Sequence, residues 1–181
     1  MAKKRAVKKI YEEDGFKFNT KPLFDFYRKL KEAKEGKLIK SFVLPTFKEQ
    51  NSKSKFGAKK CFIDDNRFDS IMEAKFYVYL LELKKEKKIK SFLIHPKFNL
   101  QESFKKNNKA IRAIDYISDF IVEIDKNNKM VFDVKGRETP DFKIKKKLFD
   151  FRYRDLTLKC VQYRVLKDEW IDIHSKNPIF K

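Results

Sequence analysis

Apolar positions along the chain follow two periods, and each change of period marks an element. Behind Asp69 or Ser70, either a good N-cap, Met72, Phe76, Tyr79, Leu80 and Leu83 recur at helical spacing to about Lys87. From Ser91 to Phe104 the period drops to two, with Phe92, Ile94, Phe98 and Leu100 on one face, which predicts a strand. The polar run "KKNNK" leads to a long strand predicted from Ile111 to Ile124, and "DKNNK" turns that strand into another from Met130 to Lys135. Thr139 then caps a helix whose first residue is Pro140, the position proline prefers, with Ile144, Leu148 and Phe151 as its expected buried stripe. "LTLKCVQY", residues 156–163, predicts a further strand. Helix, three strands, helix, strand is the order of a mixed α/β sheet flanked by helices.

Part of this pattern occurs twice. "FKFNTKPLFDFYRKLKEAKEGKLIKSFVLPTF" lies over "NRFDSIMEAKFYVYLLELKKEKKIKSFLIHPKF" at a shift of about fifty positions. Phe18 falls on Phe68, Phe26 and Tyr27 on Phe76 and Tyr77, Leu30 on Leu80, and Ile39 to Phe42 on Ile89 to Phe92. One inserted residue then brings Pro45 onto Pro96 and Phe47 onto Phe98. Each copy reads as an amphipathic helix followed by a strand. The first copy carries Leu23 where the second has Glu73, so it is expected to be a degenerate half-repeat that packs, widens a binding surface or mediates dimerisation. The expected organisation is a disordered basic arm over 1–12, the half-repeat over 13–55, the core over 56–166 and a C-terminal extension over 167–181. Trp170 in that extension either packs as part of a tail or stacks on unpaired bases.

Charge narrows the partners. Lysine and arginine number 45 against 26 acidic residues, a formal net charge of +19, which predicts a polyanion: nucleic acid first, an anionic membrane surface second. No apolar run approaches the roughly 20 residues that span a bilayer, and "MAKKRAVKK" has no apolar h-region behind it, so a soluble, intracellular protein is expected. Cys61 and Cys160 form no C-x-x-C pair, and His95 and His174 are the only histidines. This argues against a disulfide framework, a cysteine-rich zinc site, zinc hydrolases and Ser-His-Asp chemistry. His95 and Gln162 read as strand residues rather than catalysts. Catalysis is left to carboxylates, lysine and a hard metal.

Parity locates such a set. In the long strand Ile114, Tyr116, Phe120, Val122 and Ile124 share one face, and Asp115, Ile117, Asp119, Ile121 and Glu123 share the other. In the next strand Met130, Phe132 and Val134 oppose Val131, Asp133 and Lys135. If the two strands pair, Asp119 nears Asp133 and Lys135; converging carboxylates repel, and a divalent cation relieves that repulsion. A lysine beside them suits metal-assisted phosphodiester hydrolysis. The alternative is a solvated face with a weak surface ion pair. Glu73 likewise has two readings. It completes a Ser70-x-x-Glu73 capping box, or it presents a third carboxylate from a helix face shared with Phe76, Tyr77 and Leu80.

In the order Glu73, Asp119, Asp133, Lys135, this set resembles the PD-(D/E)xK nuclease superfamily, with Ser118 in place of the proline and Asp133 at the D/E position. "FDSIMEAKFYVYL", "YISDFIVEI" and "FDVKGRETPDFKIKKKLF" look like a group of small phage-borne nucleases of that superfamily, similar in layout to phage junction-resolving endonucleases. The resemblance covers roughly residues 62–163. It implies a restriction-endonuclease-like core, and Mg²⁺ or Mn²⁺ held by Asp119, Asp133 and the Val134 backbone carbonyl. Glu73 would be a nearby ligand or orienter, and Lys135 would position water and phosphate. The implied activity is endonucleolytic cleavage of branched or structured DNA in phage recombination or replication, in the host cytoplasm or nucleoid. Arg137, Lys143, Lys145, Lys146 and Lys147 are the expected phosphate contacts, near a helix N-terminus that also favours anions. A homodimer would supply the two sites that junction resolution uses. Rival readings are a non-catalytic basic DNA-binding protein and a nuclease of the same chemistry acting on single-stranded DNA or transposon ends.

Overall fold

Asp14 and Gly15 both adopt positive φ, 53° and 77°, the pairing a tight two-residue hairpin requires, and they join β1 (Tyr11–Glu13) to β2 (Phe16–Phe18). The computed structural model describes residues 9–51 and 59–180. Residues 1–8 of the basic arm, the boundary between residues 55 and 56, and residue 181 lie outside the described residues. Tyr11 and Glu12, counted with the arm, are strand residues, because the hairpin lays Tyr11 and Phe18 against Leu23, Phe24 and Tyr27. These three lie on α1 (Lys21–Glu35). β3 (Phe42–Val43), α2 (Phe47–Asn51), β4 (Cys61–Ile63), β5 (Asn66–Phe68) and α3 (Ile71–Lys85) follow.

The described residues form a mixed α/β protein with several sheets and four helices, divided into two compact units, Met1–Leu81 and Glu82–Lys181. Hairpin then helix occurs twice, fifty residues apart, so each helix is preceded by a hairpin as well as followed by a strand. Both helices span 15 residues, and two residues beyond each end stands a lysine in the left-handed region, Lys37 at φ 56° and Lys87 at φ 59°. Both ends close alike, Lys37 and Leu38 donating to Lys34 and Ala33, and Lys87 and Lys88 to Lys84 and Leu83. The Phe18–Tyr27 rings lie 5.0 Å apart at 40° and the Phe68–Tyr77 rings 5.1 Å apart at 39°. The copies differ at the position of Glu73, since Leu23 is buried in the first apolar cluster.

The second unit is built on a bent ribbon. Pro96 has no N–H to give a ladder, and the predicted strand Ser91–Phe104 breaks there into β6 (Ser91–Ile94) and β7 (Lys97–Gln101). Its last residue, Phe104, begins a separate exposed hairpin, β8 (Phe104–Lys106) and β9 (Lys109–Ile111), turned by Asn107 and Asn108 at φ 50° and 59°. The predicted strand Ile111–Ile124 breaks opposite Pro96, into β10 (Ile114–Ile117) and β11 (Phe120–Asp125). Two hydrogen bonds tie the breaks together, His95 N–H to the Asp119 carbonyl at 2.9 Å and Ser118 N–H to the Pro96 carbonyl at 3.2 Å. His95, expected within a strand, turns this corner at φ 52°. The break also reverses parity: Tyr116 joins Ile121 and Val131 in one cluster instead of sharing a face with Phe120 and Val122.

β11 continues into β12 (Asn128–Val134), α4 (Pro140–Arg152), β13 (Thr157–Arg164) and β14 (Glu169–Asp172). The main sheet runs β14-β13-β12-β11-β6. β12 and β13 are parallel, and α4 supplies the crossover that such a pair needs. Thr139 caps α4 as expected, its Oγ1 accepting the Phe142 N–H at 3.2 Å. The expected stripe on α4 is corrected in two of its three residues: Ile144 and Phe151 are 61% and 71% exposed, whereas Leu148 packs against the core beside buried Phe142 and Phe149. Two apolar lines compete on this helix, and edge-to-face packing of Phe149 on Phe98 and Tyr116, at 5.0 and 6.0 Å, selects the line of Phe142 and Phe149. Trp170 is buried on β14 and packs on Tyr163, so the C-terminal extension completes the sheet edge. Among the described residues, no helix is long and apolar enough to cross a membrane.

This packing predicts opposite outcomes for two neighbouring phenylalanines. Phe149→Ala should cost about 3–5 kcal/mol in urea unfolding, while Phe151→Ala should stay within about 0.5 kcal/mol of wild type.

Candidate metal and catalytic centre

β12 is a central strand whose Val131, Phe132 and Asp133 are all buried, so the Asp133 carboxylate must find partners inside the protein. Asp133 is 2% exposed. The Tyr116 hydroxyl donates to its Oδ2. The Lys135 ammonium stands 2.7 Å from its Oδ1, a close ion pair on the second carboxylate oxygen. Lys135 also lies 4.6 Å above the Phe142 ring, so its cation rests between a carboxylate and an aromatic face.

Asp119 reaches the same place through the bend. Phe120 pairs with Phe132, and continuing that antiparallel register by one residue sets Asp119 beside Asp133. The Val134 N–H donates to Asp119 Oδ2 at 2.7 Å, fixing this carboxylate to the end of β12. Burial alone would pull the Lys135 ammonium down, but Asp133 and Asp119 together hold it above the ordinary lysine value. Burial, reinforced by the Asp133 charge, pushes the Tyr116 phenol far up, so Tyr116 stays a donor toward that carboxylate. Taking a carboxylate and an ammonium out of water costs several kcal/mol per ion, which makes this pair a poor choice for stability alone.

Asp119, Asp133 and Lys135 are thus brought together, with Val134 between the two aspartates. Glu73 belongs to the first unit and forms the capping box: its N–H donates to Ser70 Oγ at 3.1 Å, and its carboxylate accepts from Ser70 Oγ at 2.9 Å and from the Asp69 N–H at 3.0 Å. The basic set divides. Arg137, Lys143 and Lys147 are exposed, whereas Lys145 and Lys146 are half-buried. Lys145 lies 3.9 Å from Asp141, and Lys146 lies 3.2 Å from both Asp150 and the Leu158 carbonyl. Gln162 is an exposed residue of β13. Tyr116 is not found by parity, because the strand that carries it is broken at Ser118 and Asp119. Pro96 within the partner strand was the available sign of a break.

Two stability tests follow. Tyr116→Phe, which withdraws a donor from a buried carboxylate, should cost about 1–3 kcal/mol in urea unfolding. Lys135→Met should cost about 3–5 kcal/mol at neutral pH, and Asp133→Asn in the same chain should recover part of the loss. A lysine raised in the folded state stabilises fully below its unfolded value and loses that contribution as pH climbs through the folded one. The difference between wild type and Lys135→Met should therefore stay flat through neutral pH and shrink above 10.5, the ordinary lysine value.

No curated protein and no solved structure matches the chain. The family model described as "Protein of unknown function (DUF1064)" matches residues 53–169. The matched span takes in the second hairpin and helix, Asp119, Asp133, Lys135 and the whole of α4, and it leaves out the first copy of the hairpin and helix. With that match extending over more than half of its 181 residues, the chain belongs to this family.

Proposed function

We propose that the chain is a metal-dependent endodeoxyribonuclease of the PD-(D/E)xK type, with a restriction-endonuclease-like core preceded by a degenerate half-repeat. One observation carries this reading: a buried aspartate, Asp133, ion-paired to Lys135 two residues on, with a second aspartate set beside it at the corner of a bent strand. The fit of a divalent cation rests on the donor set: two carboxylates, Asp119 and Asp133, set beside each other at the end of β12, all hard oxygens. Asp119, Asp133 and the Val134 carbonyl would hold Mg²⁺, with Mn²⁺ as a substitute. Bound there, the cation would polarise a phosphoryl oxygen and make a water more acidic.

The chain's own groups do the rest. Tyr116 holds the Asp133 carboxylate in one orientation through Oδ2. Lys135 keeps its charge through neutral pH and offers an ammonium to the scissile phosphate and the attacking water. Arg137 ahead of α4, with Lys143 and Lys147 along it, all exposed, bind flanking phosphates without reading sequence, supported by a net charge of +19. Lys145 and Lys146 contribute less, since each already meets a carboxylate. Glu73 enters through motif order alone. Branched or structured DNA is the proposed substrate, with a homodimer presenting two sites, and phage recombination or replication is the proposed setting.

Cleavage of four-way junction, flap, single-stranded and duplex DNA in Mg²⁺ tests the proposal. Asp133→Asn should lower the rate at least about a hundredfold while DNA affinity holds or rises. Glu73→Gln, assayed in parallel, should also lower the rate if the glutamate serves the site. If wild type cuts no DNA form in Mg²⁺ or Mn²⁺ yet binds DNA, the chain is a non-catalytic DNA-binding protein.

A further inference from the structure

A second cluster lies in the second unit, on residues that the nuclease reading does not use. Cys160 is a central residue of β13 with 0% exposure. Glu138 lies in the connection between β12 and α4, and His174 lies just beyond β14. The Ile173 N–H donates to the Cys160 carbonyl at 2.8 Å, which anchors the segment carrying His174 to the strand carrying Cys160. Glu138 Oε1 is the common vertex, 3.4 Å from Cys160 Sγ and 3.1 Å from His174 Nε2. One ligand atom from each of the three residues falls within 4.8 Å of the others.

We propose that Glu138, Cys160 and His174 form a binding site for a zinc-class divalent ion. A tetrahedral site with a metal–sulfur bond of about 2.3 Å and metal–nitrogen or metal–oxygen bonds of about 2.0–2.1 Å sets its ligand atoms roughly 3.3–3.7 Å apart. The two edges at Glu138 Oε1 are already close to that spacing. A thiolate and an imidazole beside one carboxylate prefer zinc-class ions over magnesium or calcium, so this site differs in kind from the all-oxygen centre at Asp119 and Asp133. Binding sends the thiol proton to solvent, and the exposed side of His174 leaves the fourth position to water. The ion would fasten β13, the β12–α4 connection and the end of β14 to one another. Cys160 pairs with Asp133 across the parallel ladder, so the clamp would steady the sheet beside the catalytic aspartate. Neither cysteine nor histidine spacing signals this site, because its ligands come from three separated segments.

Cobalt titration of the full chain tests the assignment. Wild type should take up about one equivalent of Co²⁺ with a thiolate-to-cobalt charge-transfer band, in excess Mg²⁺, and Zn²⁺ should bleach the band. Cys160→Ser should abolish the band and Cys61→Ser should retain it. His174→Ala, a change at an exposed side chain that leaves the core intact, should weaken Co²⁺ binding at least about tenfold even if Cys160→Ser fails to fold. A wild type without the band, a band lost with Cys61→Ser, or unchanged affinity in His174→Ala would overturn the proposal. None of these outcomes depends on whether the chain cuts DNA.

Discussion

A carboxylate in the middle of a sheet has to be compensated, and the second unit is arranged around the compensation of Asp133. β12 is flanked by β11 and β13, and Asp133 between them is only 2% exposed. Tyr116 and Lys135 supply a donor and a positive charge, Phe142 covers the lysine, and Phe98 and Phe149 pack around the tyrosine. Polar site and apolar core are therefore one structure, and the packing of α4 decides whether Tyr116 and Lys135 can reach the carboxylate.

The bend in the ribbon is the second constraint. An unbroken strand through Ser118 and Asp119 would leave Tyr116 on the face opposite Ile121. Breaking the ribbon at Pro96 and at Ser118–Asp119 lets Tyr116 approach Asp133 from one strand while Asp119 arrives from the next. The corner therefore sets both the electrostatics and the geometry of the candidate centre. In the first copy of the hairpin and helix, buried Leu23 stands in place of the carboxylate, which suits a packing element without chemistry.

Features governed by neighbouring residues were legible in the sequence. Thr139 followed by Pro140 announced the start of α4, and parity within unbroken β12 put Val131, Asp133 and Lys135 on one face. The shift of fifty residues was visible, although the hairpins were not: their three-residue strands are too short for periodicity, even with the Asp14-Gly15 turn signal. Features governed by distant contacts were not legible. On α4 the lines Phe142/Phe149 and Ile144/Phe151 are equally apolar, and Phe98 and Tyr116 choose between them. The partnership of Tyr116 with Asp133 required knowing where the strand breaks, and the grouping of Glu138, Cys160 and His174 required the whole sheet.

The proposed function stands on Asp119 and Asp133 forming a cation site rather than a closed structural ion pair. Mn²⁺ binding read by electron paramagnetic resonance on the full chain addresses it directly, without requiring a substrate. Wild type should bind Mn²⁺ in competition with Mg²⁺, and Asp119→Asn and Asp133→Asn should each remove that Mg²⁺-sensitive site while the fold persists by circular dichroism. Equal Mn²⁺ binding by wild type and both variants would contradict it.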